Sequence, residues 1–394
     1  MQIIRLPKAF KLIFAEDKGE GDISSFAALA TALAATIGTG NIVGVATAIK
    51  TGGPGALFWM WIAAFFGMAT KYAEGLLAIK FRTLDDQGNV SGGPMYYITH
   101  GFSGKWQIIA KPLAYFFAFA GVLVAWLGIG TFSQVNSITS SLQNSFGWSP
   151  KIVSVILALI TAAIIFGGIQ SISKVSEKVV PFMAGLYIIA ALIVIFANFN
   201  QLLPVLEMVF QSAFTGKAAV GGFAGATVMA AMRLGIARGV FSNESGLGSA
   251  PIAAAAAKTE EPVEQGLISM TGTFIDTIII CTLTGLAILV TGQWSGSLEG
   301  APMTQAAFSS IFGTFGELAL TLSLVLFAFT TILGWSYYGE RCFEFIFKST
   351  KFLSFYRLIF VVMVALGGYL TLEVVWKIAD IVNGLMALPN LIAL

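Results

Sequence analysis

The sequence predicts an all-α polytopic membrane protein of about ten helices, arranged as two inverted halves of five, with the first and the sixth helix broken. Of its 394 residues, 57% are hydrophobic and only 11% are charged, whereas a soluble domain carries about 25% charged residues. The apolar residues form segments long enough to cross a bilayer. Two of these segments, at corresponding places in the two halves, contain glycine clusters.

A membrane-spanning helix needs about 20 apolar residues. The predicted spans are 24–49, 54–79, 110–142, 150–168, 178–198, 219–241, 266–292, 315–338, 353–370 and 372–394. Segments 204–214 and 302–312 are expected to be short amphipathic helices lying on one face. Together the spans make one transmembrane domain, with a first repeat at 24–198 and an inverted second repeat at 219–394. Residues 1–23 are polar and charged, which favours a cytoplasmic segment over a signal peptide.

The basic residues indicate the orientation. With the N-terminus inside, Lys50, Lys151 and Lys217 lie outside, and almost all the others, including Arg233 and Arg238, lie inside. Cytoplasmic loops are enriched in lysine and arginine. Both termini are therefore expected in the cytoplasm.

The first span contains the most informative motif of the chain. Residues 34–44 read AATIGTGNIVG, which places glycine, threonine and asparagine in the middle of an apolar segment. A broken helix frees backbone groups that lipid cannot satisfy, so such a break survives where it lines a cavity. The half-helix that begins near Gly40 directs free N–H groups and a positive dipole end at the break, which suits a carboxylate. The Thr39 hydroxyl can add a further donor.

The sixth span carries a second glycine cluster. Residues 221–225 read GGFAG, and paired glycine-interrupted segments in two inverted halves indicate a midplane binding site. Glycines also serve close helix packing. The matching positions of the two clusters favour the site.

Ionisable residues inside membrane spans are functional candidates because burying their charge is costly. Asp276 is expected to bind an ion, relay a proton or pair with a cation such as Arg233. Glu74 and Lys71 are one helical turn apart, which favours a local ion pair.

Other functional classes have little support. The sequence has one histidine, and its two cysteines, Cys281 and Cys342, are far apart and make no metal spacing. The pattern Gly38-x-Gly40-x-x-x-Gly44 is not the dinucleotide-binding spacing. We expect no enzyme activity, no cofactor and no nucleic-acid partner. An ion channel is a weaker alternative, because it would show a short filter loop and oligomeric symmetry.

Two long blocks resemble the alanine or glycine:cation symporter family, the sodium:alanine symporters. The first block joins GTGNIVGVATAI at 38–49 to GGPGALFWMW at 52–61, and the second is RGVFSNESGLGSAP at 238–251. The resemblance covers nearly the whole chain. It implies the inverted-repeat fold of the bacterial leucine transporter and a multi-pass protein of the bacterial or archaeal plasma membrane. It also implies Na⁺-driven uptake of small neutral amino acids, alanine and glycine.

The resemblance implies a substrate site at the two breaks. Thr39 and Gly40 would hold the carboxylate, and carbonyls at 222–225 or the amide of Gln134 would meet the ammonium. The apolar walls would suit a small side chain. The full predicted substrate-binding set is Thr39, Gly40, Gln134, Phe223, Ala226, Thr331 and Trp335.

The resemblance also implies an Na⁺ site between the first broken helix and the eighth span. The matching positions are the carbonyls of Ala34 and Ile37 and the hydroxyls of Thr330 and Thr331. One threonine is left as an alternative substrate contact, or as a hydroxyl bonded to its own helix. Arg238 and Glu244, from the second block, are expected to form an inner gate network.

The chain departs from the family pattern at its ends. Family members carry one more helix before the broken one, and the chain stops at Leu394 inside an apolar run. Two alternatives to Na⁺ symport therefore stay open. One is a proton-coupled amino-acid porter with Asp276 as the proton carrier, and the other is a truncated, transport-inactive family member.

Overall fold

The computed structural model describes residues 2–17, 19–215, 228–370 and 372–394. This part of the chain is almost entirely helical, apart from one two-stranded antiparallel hairpin, β1 (Thr83–Leu84) and β2 (Val90–Ser91). The helices are α1 (Leu6–Ile13), α2 (Ser25–Thr36), α3 (Val45–Gly52), α4 (Gly55–Lys80), α5 (Pro94–Gly101), α6 (Gln107–Leu127), α7 (Phe132–Phe146), α8 (Pro150–Ile165), α9 (Gly168–Ala197), α10 (Phe199–Thr215), α11 (Val228–Asn243), α12 (Ala250–Ala254), α13 (Pro262–Thr273), α14 (Thr282–Val290), α15 (Gly300–Phe312), α16 (Thr314–Phe347), α17 (Leu353–Gly367) and α18 (Leu372–Ala393). Two π-helical turns, Gly40–Gly44 and Phe274–Cys281, lead into α3 and α14.

The polytopic helical architecture predicted from composition is confirmed. Within the described ranges, six helices are long and apolar enough to cross a membrane, or seven if the bent pair Ser25–Thr36 and Gly40–Gly52 is one span. Of the other three predicted spans, the fourth is a shorter apolar helix, Pro150–Ile165. The sixth lies partly outside the described residues, and the tenth is α18, which carries several ionisable residues.

The first predicted break is present where the sequence places it. Helix α2 is preceded by its N-cap residue Ser24, whose Oγ accepts a hydrogen bond from the Ala27 amide at 3.0 Å. The helix ends at Thr36, and the next residue, Ile37, is extended (ψ 92°). The chain bends by 50° before it continues to Gly52. Lipid cannot satisfy the backbone groups freed at the bend, and every residue from Ile37 to Gly44 is buried in protein.

A second break is observed at 244–249. The predicted cluster at Gly221–Gly225, with Phe223 and Ala226, is outside the described residues. Helix α11 ends at Asn243, and α12 begins only at Ala250. Between them Glu244, Gly246 and Gly248 take φ of 57°, 87° and 79°, a region that glycine adopts readily and other residues rarely do.

The two broken helices cross antiparallel at their breaks. A Cβ built on Gly52 would lie 3.3 Å from Cα of Ala231, and one built on Gly40 would lie 2.8 Å from Cα of Ser242. Helix α12 packs against α2. Arg233 and Arg238, on α11, therefore lie on the same side of the break as Gly52. This corrects the prediction that they lie on the inner side.

The third predicted span is also interrupted. Helix α6 ends at Leu127, and α7 begins at Phe132 after the turn Gly128–Thr131. A Cβ on Gly130 would lie 2.8 Å from Cβ of Trp335, so this turn is pressed against α16. The interruption places Gln134 in the first turn of α7.

Candidate functional site

The predicted carboxylate-binding residues lie where the first break meets α7. The amide N–H of Thr39 donates to Oε1 of Gln134 at 3.3 Å, and Nε2 of Gln134 donates to the Ile129 carbonyl at 3.0 Å. Thr39 is fully buried, and its Oγ1 has no hydrogen-bond partner among the described residues. A buried hydroxyl without a partner is costly, so this atom marks a place where a ligand atom would be accommodated.

Gly38 has no room for a side chain. An added Cβ would lie 2.5 Å from Oγ1 of Thr331 and 3.2 Å from Oε1 of Gln134. Its amide N–H donates to Oδ1 of Asn41 at 2.8 Å. The bare backbone at this position allows α7 and α16 to approach the break together.

The two predicted threonines of α16 behave differently. Oγ1 of Thr331 donates to the Ile37 carbonyl at 3.4 Å and to the Phe327 carbonyl at 3.0 Å. Oγ1 of Thr330 faces Sδ of Met183 and carbonyls of its own helix. The structure therefore brings Ile37 and Thr331 together and directs the Thr330 hydroxyl elsewhere.

Helix α16 lies close to α2 at the remaining predicted ion ligand. A Cβ on Gly334 would lie 2.7 Å from Cβ of Ala35, the neighbour of Ala34, and Ala34 is fully buried. Within the described ranges, no group of three His, Cys, Asp or Glu side chains is arranged to hold a metal ion. Carbonyl and hydroxyl oxygens are what the Ala34–Ile37–Thr331 region offers to a hard cation.

Trp335 contacts the carboxylate of Glu244, which the sequence predicts to lie in an inner gate network. Its Nε1 donates to Oε1 of Glu244 at 2.8 Å, and Ser249 Oγ donates to the other carboxylate oxygen at 2.5 Å. Glu244 thus belongs to the second break. Arg238 instead forms an ion pair with Asp380, at 3.0 Å from Nη2 to Oδ2. The predicted gate network joining Arg238 and Glu244 is therefore wrong.

Asp276 is held by neutral donors. Nδ2 of Asn41 donates to its Oδ1 at 2.7 Å, and the hydroxyls of Ser242 and Thr277 donate to its Oδ2, each at 2.8 Å. Arg233 is exposed on α11, so the proposed pairing with Arg233 is not what the structure contains. Asp276 links the two breaks, because Asn41 belongs to the first and Ser242 to the second.

Glu74 fixes the conformation of the second break. Its Oε1 accepts from the amides of Gly246 and Gly248, both at 3.1 Å, and from Nδ2 of Asn390 at 2.7 Å. Nζ of Lys71 has no hydrogen-bond partner in the described ranges. The predicted Lys71–Glu74 ion pair is therefore wrong, because the carboxylate is turned toward the glycine amides.

Sequence reasoning missed this second break although its signal was present. The run Ser242 to Ser249 reads SNESGLGS, polar and rich in glycine at the end of an apolar segment. It lies inside the block that carried the family resemblance.

The Gly52 side of the breaks and the opposite side differ in structure. A cavity of about 420 Å³ lies on the Gly52 side of the breaks, and its lining includes Thr47, Asn136, Arg238 and Trp376. It reaches α7 two residues beyond Gln134. A cavity with polar lining therefore approaches the first break from this side.

On the opposite face, one arginine joins several backbone segments. Nη1 of Arg82 donates to the carbonyls of Ala255 and Ala257, and Nη2 donates to those of Glu20 and Thr259, at distances of 2.7–2.9 Å. A second cluster on this face surrounds Arg341, which pairs with Asp85, Glu340 and Glu344.

The family model and the similar sequences all belong to transporters. A sequence model of the sodium:alanine symporter family matches residues 1–394. The chain is 51% identical over 403 residues to the sodium/alanine symporter AgcS of Methanococcus maripaludis, covering 100% of this chain and 86% of AgcS. It is 55% identical over 397 residues to an uncharacterized transporter of Haemophilus influenzae, with the same two coverages.

Among solved structures, the crystal structure of MhsT in complex with L-phenylalanine matches with a TM-score of 0.68 at 15% identity. The match covers 95% of this chain and 89% of MhsT. At this identity the likeness concerns the fold alone. It confirms the expected fold of the leucine-transporter type.

Proposed function

The chain belongs to the sodium:alanine symporter family, and from this premise we propose that it couples Na⁺ entry to the uptake of a small neutral amino acid, alanine or glycine, by alternating access. Membership makes it a multi-pass transporter of the plasma membrane. The observation that carries the proposal is the buried hydroxyl of Thr39 at the crossing of the two broken helices, which has no partner within residues 2–17, 19–215, 228–370 and 372–394.

The proposed carboxylate site is Thr39 with Gly40. The turn that starts at Gly40 offers N–H groups and the positive end of a helix dipole, and the Thr39 hydroxyl adds a donor. Gln134 contributes through Thr39, whose amide its side chain holds. The substrate ammonium would be met by backbone carbonyls of the sixth span.

The proposed specificity for small side chains rests on bulk. Trp335 is fully buried and fixed by Glu244, so it forms a wall that does not yield easily. Phe223 and Ala226, which lie outside the described residues, complete the proposed pocket. A wall of this kind leaves room for the methyl group of alanine in preference to longer side chains.

The proposed Na⁺ ligands are the carbonyls of Ala34 and Ile37 and the hydroxyl of Thr331, with Thr330 beside them. Na⁺ is a hard cation that prefers oxygen ligands, and the Thr331 hydroxyl already reaches the Ile37 carbonyl. Ion binding here would fix the end of α2 and thereby order Thr39 and Gly40. Coupling then follows from the higher affinity of Na⁺ for the substrate-competent conformation.

The deciding experiment is uptake of labelled alanine into proteoliposomes that contain this chain. An inward Na⁺ gradient should drive uptake, and K⁺ in its place should not. Uptake driven by a proton gradient without Na⁺ would favour the proton-coupled porter. Detectable alanine binding without uptake would favour a transport-inactive member.

A pair of variants tests the carboxylate site. Thr39→Val should abolish alanine binding because it removes the proposed donor. Thr31→Val is the matched control, since Thr31 is also buried, in α2, and its hydroxyl has no partner among the residues that the structure describes. Equal binding by the two variants would count against the proposed site.

A further inference from the structure

Lys71 places a positive charge in the interior of the protein, with no direct partner in the part of the chain that the structure describes. It lies in the middle of α4, is 2% exposed, and its Nζ has no hydrogen-bond partner among the described residues. Burying an ammonium group in a membrane-spanning helix is energetically costly, so a lysine at such a position is a candidate for a functional role. Its surroundings indicate what that purpose is.

Three buried carboxylates lie near this ammonium, and Glu74, Glu244 and Asp276 are each 0% exposed. Glu74 is one helical turn from Lys71 on α4, and Asn243, which precedes Glu244, lines the same cavity as Lys71. Ser242, the residue before Asn243, binds Asp276, so the charge of Lys71 acts on all three acids. Each carboxylate receives its hydrogen bonds from neutral donors, as described above, and the described residues contain no ion pair for any of them. All three acids act on the breaks: Glu74 binds the second, Glu244 lies within it, and Asp276 joins the two.

Lys71 lies beside a small cavity that has polar lining residues. It lines a cavity of about 20 Å³ together with Thr36, Asn243 and Gln265, and a cavity of this size holds one water molecule. Oε1 of Gln265 is buried and has no partner in the described ranges. The ammonium therefore has a polar place to be hydrated, beside Asn243 and Gln265, without forming a tight pair with one of the acids.

We propose that Lys71 is the shared counter-ion of Glu74, Glu244 and Asp276, and that it thereby sets how many cations the carrier must bind with each amino acid. The inference rests on the proposed Na⁺ symport. Without the lysine, the interior around the breaks carries one more uncompensated negative charge. Such a charge must be balanced by a further bound cation or be eliminated, because a low-dielectric interior does not tolerate an unbalanced charge.

The test compares Lys71→Met with the double variants Lys71→Met/Glu74→Gln and Lys71→Met/Glu244→Gln. Glutamine keeps the carbonyl oxygen that accepts from the glycine amides or from Trp335, and removes only the charge. Lys80→Met is the matched control, since Lys80 lies at the exposed end of the same helix. The measurement is the ratio of ²²Na⁺ to alanine taken up by proteoliposomes.

We expect Lys71→Met to lower alanine uptake at least tenfold at the Na⁺ concentration that saturates the native carrier. At higher Na⁺ we expect its residual uptake to carry more Na⁺ per alanine. One of the two double variants should restore both the rate and the native ratio. Native behaviour of Lys71→Met would overturn the proposal, and so would its inactivity if neither neutralised acid restored uptake.

The unfolding temperature in detergent separates this inference from the proposed function. Lys71→Met should unfold at a lower temperature than Lys80→Met, and neutralising the responsible acid should reverse the loss. This readout needs no transport. If the native chain shows no Na⁺-driven uptake, the proposed function fails, while the stability series still decides whether Lys71 balances these acids.

Discussion

The indole Nε1 of Trp335 donates a hydrogen bond to Oε1 of Glu244 at 2.8 Å, which ties the long helix α16 to the break between α11 and α12. Both residues are completely buried. The proposed substrate wall and the broken helix are therefore one hydrogen-bonded unit, and a change at either residue is felt at the other.

Trp335→Phe should destabilise the protein by about 2 kcal/mol, because it leaves a buried carboxylate without one of its donors. It should also reduce alanine uptake. Trp126→Phe is the matched control, since the Trp126 indole N–H has no partner in the described chain. Unfolding temperatures in detergent measure the difference, and equal losses in the two variants would contradict the role of the Glu244 contact.

The first break could be predicted from sequence because its signal is local. Glycine, threonine and asparagine in an apolar segment interrupt a membrane helix wherever it lies in the fold. Even there, the sequence did not show that Asn41 binds Asp276, 235 residues further along the chain. That contact depends on how the two π-helical turns, Gly40–Gly44 and Phe274–Cys281, pack together.

The second break is harder to predict, because the sequence contains two glycine-rich runs, 221–225 and 242–249, that could each form it. Gly246 and Gly248 are held at positive φ by hydrogen bonds to Glu74, which precedes Gly246 by 172 residues. A carboxylate on a distant helix therefore stabilises the break. The same geometry explains why Glu74 does not pair with Lys71, which sequence spacing alone favoured.

Gly38→Ala should abolish Na⁺-dependent alanine uptake. The new methyl group would lie 2.5 Å from Oγ1 of Thr331 and 3.2 Å from Oε1 of Gln134, so α7 and α16 would have to move away from the break. Gly44→Ala is the control in the same span, because its nearest neighbour outside the local chain would be 4.0 Å away. Native uptake by Gly38→Ala would show that close approach at this point is dispensable.

Thr331→Val and Thr330→Val should separate the two predicted Na⁺ ligands. Valine preserves the shape of threonine and removes the hydroxyl. Because only the Thr331 hydroxyl reaches the Ile37 carbonyl, we expect Thr331→Val to raise the Na⁺ concentration for half-maximal uptake about tenfold, equivalent to about 1.4 kcal/mol. Thr330→Val should raise it far less. Equal shifts would refute the distinction between the two hydroxyls.

Arg82→Gln should loosen the face opposite Gly52, because one guanidinium satisfies four carbonyls there, including those of Ala255 and Ala257. Glutamine has two donors and cannot reach all four.

Cys281 is buried beside Asn41 and Ser242 at the crossing of the breaks, so its thiol reports opening. In a Cys342→Ala background, we expect Arg82→Gln to increase labelling of Cys281 by a water-soluble maleimide at least fivefold, and added Na⁺ and alanine to change that rate. Arg5→Gln, at an exposed residue, should leave labelling unchanged. If Arg82→Gln leaves Cys281 as protected as in the parent, the Arg82 contacts do not keep this face closed.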